Sequence, residues 1–141
     1  MLIVVIGAYF LFIKNGFEES NEITKNIPQY SVREKSEEEK LLVGEWQSID
    51  DSFFSRNFNE DQTFRDSYKN EGVTSSGTWF VFDSSDKPEY FQYPVEDGNK
   101  YLVMNDTSLS LNFIIAEVGK DSLSLIYLDN GGVLNFKNKN E

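Results

Sequence analysis

The sequence predicts an all-β protein: an up-and-down antiparallel meander of eight to nine strands that forms a small barrel. From Val43 onward, strand-like runs recur about every 8 to 12 residues, and short stretches of turn-forming residues separate them. Because every connection is short, strands that are neighbours in sequence are expected to be neighbours in space. Closure of such a meander removes its exposed edges, so a barrel is favoured over an open sheet.

Nine runs carry the strand signal, and the last three are the strongest. The hairpin connections between them are rich in Asn, Asp, Gly and Ser, the residues that tight turns require. The predicted strands span residues 43–49, 52–58, 63–69, 78–82, 90–95, 101–105, 109–118, 122–128 and 133–137.

The first strand shows the period-2 alternation of a half-buried strand. Gly44, Trp46 and Ser48 fall on one face, and Glu45 and Gln47 fall on the other. Since a Trp side chain buries about 150–250 Å², the face that carries Trp46 is predicted to point into the core.

A short helix is predicted immediately before this strand. Ser36 and Glu39 have the spacing of a capping box, and three consecutive glutamates occupy the first turn, where they favour the helix dipole. Leu41 and Leu42 are available to pack, so the helix Glu37–Leu42 is expected to close one end of the barrel. The barrel domain is accordingly assigned to residues 37–141.

The N-terminal region has the composition of a membrane-directed segment. Residues 1–13 contain no charge and are almost wholly apolar, and Lys14 follows them. We interpret residues 1–17 as an uncleaved hydrophobic anchor or N-terminal membrane helix, with a signal peptide and a buried helix of the soluble fold as alternatives. Residues 18–36 are polar and read as a tether. This organisation predicts a membrane-anchored protein whose domain faces the periplasm or the cell exterior.

Composition excludes several functional classes. The chain has 141 residues, no Cys, no His and a net charge of −11, and residues from Leu41 onward contain eight basic against seventeen acidic residues. Without His or Cys there is no basis for a zinc site or for a His- or Cys-based triad. Phosphate binding needs clustered Lys and Arg, so nucleic acid is not an expected partner. No cofactor and no metal are predicted, because the acidic residues fall in turns and no calcium-loop motif is present.

Several short motifs follow one another in a fixed order from Leu41 onward. A Gly-x-Trp strand comes first, then a hairpin with the pattern Phe, polar turn, Thr, Phe, then Ser-Gly-Thr-Trp before a middle strand. The residues are Gly44, Trp46, 58–64 and 76–79, with the closing runs 121–125 and 132–136. This order resembles that of the lipocalin-like, calycin-type, small extracytoplasmic β-barrel domains of bacteria. The resemblance implies a ligand-binding barrel displayed outside the cytoplasm. The Thr-Asp-Tyr motif and the late Arg of lipocalins proper are absent, so no particular ligand is implied.

Aromatic residues supply the candidate sites. Residues that face the predicted interior are candidates for holding a small apolar or amphipathic ligand, and a second group on the 90–95 run is a candidate partner-contact surface. The ligand candidates are Trp46, Phe58, Phe64, Trp79, Tyr101, Phe113 and Tyr127, and the contact candidates are Tyr90, Phe91 and Tyr93.

The sequence therefore leaves two non-catalytic hypotheses and one catalytic hypothesis open. The first is a membrane-tethered binding domain for a small apolar ligand in a hollow barrel. The second is a protein-interaction or inhibitor module of the cell envelope, with a solid barrel and an acidic contact face. The third, a hydrolase based on carboxylates, would need two converging acids in a cleft. A filled barrel with an exposed apolar patch would favour the second hypothesis over the first.

Overall fold

The computed structural model describes residues 34–140, and the residues from Lys35 onward belong to one compact unit. The predicted anchor, residues 1–17, and nearly all of the predicted tether, residues 18–36, lie outside the described residues. The described elements are one helix, α1 (Glu37–Leu42), and eight strands: β1 (Gly44–Ser48), β2 (Phe54–Phe58), β3 (Thr63–Tyr68), β4 (Gly72–Phe82), β5 (Tyr101–Asp106), β6 (Ser110–Val118), β7 (Ser122–Tyr127) and β8 (Val133–Asn138).

The eight strands form a closed antiparallel barrel. Each strand pairs with its neighbours in sequence, and β1 also pairs with β8, with Trp46 opposite Asn138 and Ser48 opposite Phe136. The prediction of an all-β, up-and-down barrel is thus confirmed. The architecture is consistent with a lipocalin-like barrel, and the closure of β1 on β8 leaves no unpaired sheet edge.

The connections divide the barrel into two ends. In an up-and-down barrel alternate loops lie at the same end, so the loops 49–53, 69–71, 107–109 and 128–132 are together. We call this the hairpin end. The opposite end, which we call the helix end, carries α1 and the loops 59–62, 83–100 and 119–121.

Helix α1 closes the helix end as expected. Its capping box is present: the Ser36 hydroxyl accepts a hydrogen bond from the Glu39 N–H, and the Glu39 carboxylate accepts one from the Ser36 N–H. Leu42 is fully buried, and its carbonyl oxygen accepts a 2.8 Å hydrogen bond from the indole N–H of Trp46. The helix is therefore fixed to the first strand by a satisfied buried donor as well as by apolar packing.

Large side chains fill the barrel interior. Alternate residues of the strands point inward, and a bulge in β6 between Ile115 and Glu117 shifts the alternation so that Ile115 and Val118 both pack on the core. Phe58 and Trp79 meet edge to face inside the barrel, with ring centroids 5.3 Å apart. An eight-stranded barrel is just wide enough to be filled in this way. The most deeply buried inward side chains are Trp46, Phe58, Phe64, Trp79, Val81, Leu102, Met104, Phe113, Leu123, Leu125 and Phe136.

A second apolar cluster lies outside the barrel. Residues 83–100, which we call the strap, connect β4 to β5 and cover the outer face of β4, β5 and β6. Phe91 of the strap packs edge to face on Phe82, with ring centroids 4.7 Å apart, and lies 5.7 Å from the ring of Tyr101. The strap therefore gives these three strands an apolar environment on both faces.

The prediction of a strand at 90–95 was wrong, because this run is part of the strap. Two prolines, Pro88 and Pro94, lack the N–H that a strand would use for pairing. The N–H of Phe91 donates to the carbonyl of Pro88 and closes a turn. The aromatic content that suggested a strand serves to cover the barrel wall.

Strand β4 begins at Gly72, six residues before the predicted start at 78. Its first half is made of small and polar residues with little strand propensity, yet it pairs with β3 across a bulge between Asp66 and Ser67. A Cβ atom at Gly77 would lie 1.8 Å from the Asn105 carbonyl oxygen, so only glycine allows β4 to approach β5 at this point.

Candidate functional site

The structure brings six of the seven predicted ligand residues together in the barrel interior. Trp46, Phe58, Phe64, Trp79 and Phe113 are buried with at most 2% of their surface exposed, and Tyr127 is half-buried. They pack on one another and on aliphatic neighbours in a single core.

Tyr101 lies apart from the other six ligand candidates. It belongs to the cluster under the strap, where its ring stacks on Phe82 at 5.3 Å and its hydroxyl accepts a 2.8 Å hydrogen bond from the Glu96 N–H. Strand β5 starts at Tyr101, whose side chain points outward, and the next residue, Leu102, is the one that points into the barrel.

The three predicted contact residues of the strap differ in exposure. Tyr90 is 65% exposed, Tyr93 is half-buried, and Phe91 is only 4% exposed. Of the three, only Tyr90 presents most of its surface to solvent, while Phe91 serves to hold the strap on the barrel wall.

The exposed apolar surface is concentrated at the hairpin end. Among the described residues, eight large hydrophobic side chains are exposed, and six of them come from the loops or strand ends at the hairpin end. Two others, Leu41 and Tyr90, lie elsewhere. Single exposed hydrophobic residues are ordinary, whereas a group at one end of a barrel is a candidate for an interaction site. The six residues, which we call the apolar rim, are Ile49, Phe53, Tyr68, Val73, Leu109 and Val133.

Half-buried side chains continue the apolar rim toward the barrel axis. Phe54, Leu111, Tyr127 and Leu134 all point inward near the hairpin end and pack against the interior core. The Phe54 ring lies 5.3 Å from the Tyr68 ring of the rim. The rim is thus connected to the interior core through Tyr68 and Phe54.

A buried ion pair lies inside the barrel beneath this surface. Arg56 and Asp66 are 3% and 5% exposed, and the guanidinium donates two hydrogen bonds to the carboxylate, 2.7 Å from Nε to Oδ1 and 2.8 Å from Nη2 to Oδ2. The guanidinium carbon also lies 5.5 to 5.8 Å from the ring centres of Phe54, Phe113 and Phe136. Its third nitrogen, Nη1, is buried and has no hydrogen-bond partner within residues 34–140.

Our sequence analysis missed this pair, although a signal for it exists. Arg56 stands between Phe54 and Phe58, and Asp66 stands between Phe64 and Tyr68, so each charge occupies an inward position of its strand. Opposite charges at inward positions of consecutive strands indicate a buried pair, since an unpaired charge there would be too costly.

Carboxylates surround the apolar rim. They come from the same loops and strand ends, and Lys69 is the basic residue among them. The backbone N–H of Ser108 and the Ser75 hydroxyl donate to Asp106 and hold the pKa of its carboxyl below 3.8, so this residue stays charged. The acidic residues of the hairpin end are Asp50, Asp51, Glu71, Asp106 and Asp129.

Among residues 34–140, no group of three or more carboxylates is placed to hold a metal ion. In the same range no helix has the length and apolar content needed to cross a bilayer.

None of the comparisons with protein-family models, with curated proteins and with solved structures returned a match. The closed eight-stranded barrel agrees with the fold that the lipocalin-like resemblance implies. Membership of that group stays a prediction, and the geometry of the barrel is the basis for the functional proposal below.

Proposed function

We propose that this domain is a non-catalytic protein-interaction module that binds its partner through the hairpin end of a solid barrel. The observation that carries the proposal is the gathering of six of the eight exposed large hydrophobic side chains at that end. Apolar patches of this kind on soluble domains mark docking surfaces. The barrel supplies a rigid base, because its inward side chains are closely packed.

The charge around the rim indicates which kind of partner surface it would bind. The acidic residues of the hairpin end disfavour an acidic or phosphate-rich surface and attract a basic one. A partner segment that combines apolar side chains with Lys or Arg would complement both features. Such a segment of a cell-envelope protein fits the predicted location, with residues 1–17 holding the domain at the membrane.

A second candidate function is the binding of a small amphipathic ligand. The unpartnered Nη1 of Arg56 favours it, because a buried donor of this kind offers a hydrogen bond to an oxygen acceptor. Entry from the hairpin end would require the Phe54 ring to move, since it lies over the guanidinium. We rank this function second because the interior space is occupied by side chains.

Selection from a random peptide library against the immobilised full chain tests the first proposal. The expected peptides are enriched in apolar residues together with Lys and Arg. The triple variant Ile49→Ser, Leu109→Ser, Val133→Ser should lose their binding, whereas each change is exposed and should alter the free energy of unfolding by less than about 0.5 kcal/mol.

The matched control removes the two exposed hydrophobic residues that lie away from the hairpin end. The double variant Leu41→Ser, Tyr90→Ser should bind the selected peptides as the wild-type chain does. Equal loss of binding in the triple variant and the control, or selection of acidic peptides, would contradict the proposal.

A further inference from the structure

The outer surface of β8, β1, β2 and β3 has a charge opposite to that of the domain as a whole. From Leu41 to Asn140 the chain has eight basic and sixteen acidic residues. Four of the eight basic residues, Arg65, Lys69, Lys137 and Lys139, are exposed on or beside this surface. The acidic residue facing outward from these four strands is Glu45. On the strands themselves Arg65 and Lys137 stand against Glu45, a net charge of +1, because Lys69 and Lys139 lie just beyond the ends of β3 and β8.

An open groove lies on this cationic surface. Its volume is about 440 Å³, which falls in the size range of small-molecule sites. Phe53 and Tyr68 are among its lining residues, and Lys69 and Lys139 supply the positive charge. The Tyr68 ring packs on the inward ring of Phe54, so Phe53 is the aromatic side chain that the groove uses. The remaining lining residues are Glu45, Gln47, Ser52, Ser55 and Ser67.

The groove offers hydrogen-bonding groups without partners inside the described part of the chain. Among residues 34–140, no side-chain hydrogen bond involves the hydroxyls of Ser52, Ser55 or Ser67, and Lys69 takes part in no ion pair. Lys139 differs, because it pairs with Glu45 at 2.6 Å. The free ammonium of Lys69 is therefore the positive charge available to a ligand, and the three hydroxyls can each donate and accept.

The aromatic side chain of Phe53 sets the shape of the ligand. Phe53 is 51% exposed, so its ring is accessible for stacking. A ligand that fits must have one apolar face for this ring, several hydroxyls for the serines, and one negative group for Lys69. A fully apolar ligand would leave the serines and the lysine unmatched, and a neutral polar ligand would leave the lysine unmatched.

We propose that this groove binds an acidic saccharide, a sugar unit or short oligosaccharide that carries a carboxylate. The carboxylate pairs with Lys69, the sugar hydroxyls exchange hydrogen bonds with Ser52, Ser55 and Ser67, and the flat face of the sugar ring packs on Phe53. The groove lies on the outer face of β1, β2 and β3, whereas the partner surface proposed above lies at the hairpin end, and Phe53 lies where the two meet.

The test is titration of the full chain with trigalacturonic acid, monitored by isothermal titration calorimetry and by the NMR chemical shifts of the backbone amides. We expect saturable binding, with shifts centred on Ser55, Ser67 and Lys69. The fully methyl-esterified trisaccharide should bind at least about tenfold more weakly, since the charge-assisted bond is lost. Lys69→Gln should weaken binding of the acid about tenfold and leave binding of the ester unchanged.

Lys137→Gln is the matched control, because it removes the same charge from the same surface at a residue that does not line the groove. It should weaken binding less than about twofold. The triple variant Ile49→Ser, Leu109→Ser, Val133→Ser should bind the saccharide normally, so failure of the partner proposal and failure of this one are distinguishable.

Several results would overturn the inference. One is the absence of saturable binding up to about 10 mM trisaccharide. Others are equal binding of the acid and the ester, and equal weakening of binding by Lys69→Gln and Lys137→Gln. An oligoglutamate peptide of the same charge that binds as tightly as the trisaccharide would also overturn it, since the surface would then be a general anion attractor.

Discussion

The two walls of the barrel differ in what lies on each of their faces. The wall formed by β4, β5 and β6, which we call the covered wall, is apolar on both faces, because inward residues fill the interior and outward residues such as Phe82 and Val103 lie under the strap. The wall formed by β8, β1, β2 and β3, which we call the uncovered wall, is polar and cationic outside, and inside it carries the Arg56–Asp66 pair.

This difference suggests a division of roles: one wall contributes mainly to the stability of the barrel, and the other leaves its outer surface available for binding. The covered wall gains hydrophobic burial on two faces and leaves little surface for a ligand. The uncovered wall keeps its outer face available, and the groove with Lys69 lies there. Substitutions on the covered wall should therefore change mainly the free energy of unfolding, and exposed substitutions on the outer face of the other wall should change mainly binding.

The largest effect is expected inside the uncovered wall. Asp66→Ala should lower the free energy of unfolding by about 3–5 kcal/mol, because it leaves the Arg56 guanidinium buried without its counter-charge. Urea denaturation followed by Trp fluorescence measures this. The double variant Arg56→Met, Asp66→Leu should recover most of the loss. A loss of less than about 1 kcal/mol in the single variant would mean that the pair is solvated.

Gly77→Ala tests β4, the strand of the covered wall that pairs with β3 of the uncovered wall. A Cβ atom would lie 1.8 Å from the Asn105 carbonyl oxygen, so β4 and β5 must separate, and a loss of about 3 kcal/mol is expected. Gly72→Ala is the matched control in the same strand. Its Cβ atom would meet nothing within 4 Å, and only the positive φ of 73° opposes it, at about 1–2 kcal/mol. Equal losses in the two variants would contradict the close approach.

Removal of the strap contact should destabilise the covered wall. Phe91→Ala should cost about 3 kcal/mol, near the low end for a buried Phe, because part of the strap can relax. Ser67→Ala on the outer face of the uncovered wall should change the free energy of unfolding by less than about 0.5 kcal/mol. If the two variants unfold at the same urea concentration, the strap does not stabilise the wall.

The strap should also respond to acid. The Ser85 hydroxyl and N–H and the Lys100 ammonium donate to Asp83 and hold the pKa of its carboxyl well below 3.8. Because this pKa is lower in the folded than in the unfolded state, the charged Asp83 carboxylate stabilises the fold fully above about pH 4. That stabilisation is lost as the pH falls toward the folded-state pKa. Asp83→Asn should therefore lose less stability than wild type between pH 5 and pH 3 in urea titrations. Parallel pH profiles for the two proteins would contradict this.

The smallest effect is expected at an exposed cation of the uncovered wall. Lys137→Ala should shift the urea midpoint by the equivalent of less than about 0.5 kcal/mol, because Lys137 is exposed and forms no ion pair among the described residues. A loss above about 1 kcal/mol would show that the outer face of this wall contributes to folding.

The features that follow from local periodicity could be predicted from the sequence. Alternation placed Trp46, Phe58 and Phe113 inside the barrel, and the capping box located α1. The strap could not be told from a strand, because aromatic residues satisfy the strand signal whether they pair or cover. Only the prolines at 88 and 94 argued against pairing.

The candidate sites were harder to predict, because they depend on contacts between residues far apart in sequence. The apolar rim collects Ile49, Leu109 and Val133 from three separate loops. The groove places Lys139 beside Ser55 and Lys69 only because β8 pairs with β1. Neither arrangement has a local motif, so each required the closed topology to be known.

The claim that the barrel is solid is tested most directly by two measurements on the full chain purified from its own host. They are native mass spectrometry and titration of Trp fluorescence with a fatty-acid probe. Trp46 and Trp79 both lie in the barrel core and would report any ligand that entered it. A solid barrel predicts a bare protein mass and fluorescence that the probe does not change saturably. A copurifying apolar molecule, or saturable quenching at micromolar probe, would contradict the account and establish a barrel that opens to hold a ligand.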